Sequence, residues 1–106
     1  MNSSLDNSCL IKTVAVDLNN LLQLPDLPEE IDREGLARAI EPVIAHLLSH
    51  EFERFLQLCY RFDLGEGKVK TILNTCPPEK VSFQMSLAII DRQMLKVILR
   101  KKYSDY

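Results

Sequence analysis

Apolar residues recur every three or four positions along most of this chain, and the longest run that keeps this rhythm without Gly or Pro is Val81–Lys102. That spacing predicts about six turns of helix. At about 100° per residue the segment carries two apolar stripes. The broad one gathers Phe83, Leu87, Ile90, Met94, Val97 and Ile98; the second gathers Val81, Met85, Ala88, Leu95 and Leu99. A polar face of Ser82, Ser86, Gln93, Lys96 and Arg100, with Ile89 intruding, fills one gap, and a narrow seam of Gln84, Asp91 and Lys102 fills the other. A helix wetted mainly along one strip belongs in the middle of a bundle or in a dimer interface.

The other segments follow the same period. Leu10, Val14, Leu18, Leu21 and Leu22 predict an amphipathic helix from Cys9 to Leu24, capped by Asp6 or Ser8 and stopped by Pro25. LPDLPEE is a proline-punctuated connection whose leucines can still pack. Asp32 is placed to cap the next helix, with Glu34 in its first turn. Leu36, Ile40, Val43, Ile44, Leu47 and Leu48, then Phe52, Phe55, Leu56, Cys59 and Phe62, carry one stripe from Asp32 to Phe62. Pro42 predicts a kink, and Ser49 offers a cap for a new start at His50, so one kinked helix and two helices are both open. The segment should stop at about Asp63, ahead of Gly65 and Gly67. A short helix over Glu66–Asn74 turns Val69, Ile72 and Leu73 inward, and Pro77 or Pro78 opens the last helix. Met1–Ser8 and Tyr103–Tyr106 read as frayed ends. The expectation is an all-α, single-domain bundle of four or five helices, with the long C-terminal helix at its centre.

Length and composition agree with one globular domain: 106 residues, 46% hydrophobic and 26% charged. A net charge of −2 gives no general pull toward nucleic acid or membrane, and no apolar run is long enough to span a bilayer. The N-terminus lacks the basic start and apolar run of a signal peptide. Three cysteines, Cys9, Cys59 and Cys76, at unrelated spacings argue for reduced thiols and a cytoplasmic setting.

Candidate chemistry is sparse. His46 and His50 share a helical face, and Glu53 lies near enough to add a carboxylate, as metal sites in bundles require. The facing half of such a site is missing, so surface histidines are the plainer reading and neither metal nor cofactor is expected. Cys59 falls in the apolar stripe as a core residue, whereas Cys76 reads as a thiol at a helix start, which lowers its pKa. No serine or cysteine has a base predicted beside it, and the expectation is a protein without enzymatic activity. Arg92, Lys96 and Arg100 form a ridge at i, i+4 and i+8, a candidate interaction surface. No aromatic residues are interleaved to stack bases, which argues against nucleic acid. Arg92 lies near the second stripe, with Asp63 and Glu53 as partners to reach for.

Two resemblances attach to these residues. His46–Leu73 and Ala88–Tyr103 resemble a group of small bacterial proteins of unknown function, in which a helix ends in Tyr-Arg-hydrophobic-Asp and a final helix carries Arg-Gln-x-x-Lys and a later Arg. Here these are Tyr60, Arg61, Phe62 and Asp63, then Arg92, Gln93, Lys96 and Arg100. That resemblance implies an all-helical protein and supplies no activity. Leu64–Ile90 looks like the central region of death-fold interaction domains, on Leu64, Gly65, Val69, Ile72 and Pro77, departing from that plan in its long last helix and lack of Trp. It implies an interaction module. Taken together, the sequence points to a small interaction or structural protein whose partner is itself or another protein, with a homodimer through one stripe of the last helix as the leading form.

Overall fold

A computed structural model describes residues 7–24, 27 and 30–103. It is all-α. Five helices follow in order: Asn7–Leu22 (α1), Arg33–His50 (α2), Phe52–Phe62 (α3), Glu66–Thr75 (α4) and Pro78–Tyr103 (α5). Helix α5 packs against each of the other four, α2 most extensively. The two run antiparallel, since Arg33 meets Asp91 at one end and Glu41 meets Ser82 toward the other. The longest dimension is 41 Å, close to the ~39 Å that 26 helical residues span.

The helix boundaries have local causes. Asp32 is extended and its carboxylate accepts the Gly35 N–H at 2.7 Å, as a capping residue should. A Cβ on Gly35 would lie 2.9 Å from that carboxylate oxygen, so the close cap favours glycine there. Helix α2 runs on through Pro42, and the break between α2 and α3 falls at Glu51, neither at Pro42 nor at Ser49. Glu51 closes the first helix by donating its N–H to Leu47 and opens the second by accepting from Phe55. The turn after α3 is made by Asp63, not by a glycine. Its φ is 58°, its N–H meets the Tyr60 carbonyl, and the Leu64 N–H reaches back to Cys59 at 2.9 Å. This is the paired closure of a Schellman motif, with Leu64 tucked into the core. Helix α1 ends two residues before its predicted stop, with Gln23 left-handed at φ 53°; the cap expected at Asp6 and the stop at Pro25 lie outside the described residues, as do residues 104–106. Leu24 and Leu27 do pack on the core.

The core runs along α5. Met85, Ile89 and Ile90 are fully buried there, facing Leu36, Ile40 and Ile44 of α2, Phe55 and Phe62 of α3, and Val14 and Leu18 of α1. The wet edge of α5 is the narrower of its two polar gaps. Ser86 and Gln93, assigned to the polar face, are buried, and Ile89 beside them belongs to the core. The exposed edge is the narrow seam of Gln84, Asp91 and Lys102. The reason is α1: its Asp17 accepts from Gln93 Nε2 at 3.0 Å and from Arg100 at 3.1 Å, so a polar face becomes a satisfied helix contact. Ser86 satisfies its hydroxyl on the Ser82 carbonyl one turn back. Five residues expected inside are also open: Phe52 on α3, Leu73 on α4, and Leu95, Ile98 and Leu99 on α5.

Candidate functional site

Residues that could carry chemistry are distributed, not gathered. The His46 and His50 rings lie 5.0 Å apart, but the carboxylate beside them is Glu51, 3.3 Å from His46 Nε2, and not Glu53. Glu51 also faces Arg54. Among the described residues no set of three His, Cys, Asp or Glu side chains is arranged to hold a metal ion. Cys59 is buried between helices, and desolvation pushes its thiol up to about 11. Cys76 stands at the end of α4, not at a helix start: its N–H closes the helix on Ile72, and α5 begins only at Pro78.

The basic ridge of α5 is tied down at Lys96 and Arg100 by neighbouring helices. Arg100 pairs with Asp17 of α1. Lys96 donates to the Arg61 carbonyl at 2.9 Å and lies 3.6 Å from Asp63, so it closes the C-terminal end of α3. Asp63 is thereby taken by Lys96 and not by Arg92. Arg92 Nε is shielded from solvent and has no hydrogen-bond partner among the described residues. Its side chain lines two grooves. One, about 440 Å³, runs between α4 and α5 past Ile72, Leu87 and Leu95. The other, about 630 Å³ and largely apolar, runs between α3 and α4 past Phe52, Leu56, Tyr60, Val69 and Leu73.

The most distinctive surface is on α5 itself. Leu95, Ile98 and Leu99 are 40, 36 and 39% exposed, on consecutive turns, next to Asp91 and Lys102 of the exposed seam. Upstream, the same side of the helix is covered: Met85 and Ala88 of the second stripe are buried beneath other helices of the same chain. Over the last turns only one side of α5 is covered: Val97 is buried and Arg100 meets Asp17 of α1, while Leu95, Ile98 and Leu99 stay open. Asp91 is held in place by Arg33, whose Nε and terminal nitrogen donate to its two oxygens at 2.6 and 2.8 Å. This pairing raises the Arg33 pKa, chiefly through the hydrogen bond to Asp91. Sequence reasoning missed two residues that shape this region, Asp17 and Arg33. Asp17 interrupts the flank of the α1 stripe one position before Leu18, which is the signal that an acid there has a cation to meet.

No family model, no curated protein and no solved structure matches this chain. No helix among the described residues is long and apolar enough to cross a membrane.

Proposed function

We propose that this chain is a non-enzymatic interaction protein that associates with itself through the outer side of α5. The observation that carries the reading is the uncovered trio Leu95, Ile98 and Leu99, near the end of a helix on which Met85, Ala88, Ile89, Ile90 and Val97 are buried and Val81, Phe83, Leu87 and Met94 pack against the core. Single exposed aliphatic side chains are ordinary on protein surfaces, but adjacent ones rimmed by charge mark contact surfaces. The rim here is Asp91 and Lys102. The trio spans little more than a turn of helix, so the contact is smaller than a standard interface and the association is concentration-dependent.

Light scattering coupled to size-exclusion chromatography tests this. The mass should climb from 12.2 kDa toward twice that value as the protein is concentrated to about 100 μM and beyond. Leu95→Glu combined with Ile98→Glu should hold it at the monomer mass, with the helical circular dichroism of the parent retained because both side chains are already partly solvated. A wild-type chain that stays monomeric throughout the range refutes the reading.

A further inference from the structure

Asp91, Leu95, Ile98 and Lys102 are spaced by four, three and four residues. That spacing keeps them on one line along α5, as in the seam of a coiled coil. The line is about 16 Å long, and each of the four side chains is exposed. It is also self-complementary. About the midpoint between Lys96 and Val97, Leu95 maps onto Ile98 and Asp91 onto Lys102.

We infer that two copies of this chain pair with their α5 helices antiparallel across this line, each Asp91 meeting the partner subunit's Lys102. The inference rests on the self-association reading and adds its orientation and its charge code. An antiparallel pair with its two-fold axis at the midpoint sets Leu95 against the partner's Ile98, and Ile98 against the partner's Leu95. Leu99 adds to the apolar contact on one flank. Both ends of the line close with opposite charges, and the rotation makes the two ends identical, as an isologous interface requires.

A parallel pair gives the opposite result. It sets Asp91 against Asp91 and Lys102 against Lys102, and it brings two basic helix ends containing Arg100, Lys101 and Lys102 together. Like charges directly opposed are repulsive. Antiparallel packing also brings the basic C-terminal end of each α5 beside a stretch of the other that carries Asp91.

Arg33 does not remove Asp91 from this role. It occupies one lone-pair direction on each oxygen, and a carboxylate accepts at about four sites. Its clamp fixes the carboxylate at the surface, with half of the Asp91 side chain still exposed. In the antiparallel pair the last turns of the second α5 lie along the mouth of the groove between α4 and α5, over Leu95 and beside Asp91.

A charge-reversal mixing experiment tests the orientation. Asp91→Lys and Lys102→Glu are prepared separately, checked for wild-type circular dichroism, and followed by sedimentation velocity alone and mixed one to one. Alone, each variant opposes like charges at both ends of the antiparallel pair and should self-associate on the order of tenfold more weakly than wild type. In the mixed pair, the lysine introduced at position 91 faces the glutamate introduced at position 102 at one end. At the other end the native Asp91 and Lys102 face each other, so the mixture should recover the wild-type affinity or exceed it. Raised salt should shrink both effects. If wild type dimerises and Leu95→Glu with Ile98→Glu abolishes the dimer, yet the mixture gains nothing over its components, the antiparallel register is overturned while the self-association reading stands. If wild type is monomeric, both fall together.

Discussion

At the scale of single residues, the informative ones are polar groups in places that apolar periodicity does not assign to them. Gln93 is buried because Asp17 accepts its amide, and Arg92 is drawn under α4 with its Nε unpaired among the described residues. Cys59 shows what burial does to a titratable group. Its thiol is raised to about 11 by desolvation, above its ordinary 9.0. The folded state therefore holds its proton over a range where the unfolded chain releases it. The stability this contributes is complete below pH 9 and is lost as pH rises toward 11. Unfolding midpoints in urea should fall across that interval, and Cys59→Ala, compared with its own value at about pH 8, should show a smaller fall. An equally steep decline in the variant would assign the pH dependence elsewhere. The cysteine's place in the core was legible in the sequence, since it falls in phase with Phe55 and Phe62. The situation of Cys76 was not, because a single residue lies between it and Pro78 and the ladder that claims it comes from α4.

At the scale of elements, the long helix and the helical segments around it follow from the 3.6-residue rhythm, and two ambiguous points show where that rhythm loses information. The stripe runs without interruption through Leu47, Leu48, Phe52 and Phe55, so nothing in its phase marks a break; Glu51 supplies it through backbone geometry. The second point is which side of α5 is wet. Both gaps between its stripes contain polar residues, and only the placement of α1 decides between them. The contact that fixes α1 there is specific. Asp17 bonds Gln93, which is only 6% exposed, together with Arg100. Removing the carboxylate with Asp17→Ala leaves the Gln93 amide short of a partner and should cost about 1–3 kcal/mol. Asp17→Asn keeps an acceptor for Gln93 while losing the charge facing Arg100, and should cost less. Chemical denaturation of the three proteins checks the order. If the alanine variant is as stable as wild type, the docking of α1 rests on its apolar face alone.

At the scale of the whole molecule, five helices enclose one core around α5 and leave its far end bare. The all-helical bundle and the central place of the last helix were readable because many positions agree on the same period. The extent of cover was not, because it depends on the lengths and angles of the packed helices. Met85 and Ala88, in phase with Leu95 and Leu99, are buried by the chain's own helices, whereas the latter two are not. The case for a second copy therefore contracts from a full stripe to a short, self-complementary one at the end of the rod. The most direct measurement is a methyl NMR dilution series on the leucine and isoleucine side chains. Resonances of Leu95, Ile98 and Leu99 should shift progressively with concentration, while those of Ile40, Ile44 and Ile90 in the core stay fixed. Resonances that are all independent of concentration, or shifts confined to Leu56 and Leu73 of the groove between α3 and α4, would contradict it.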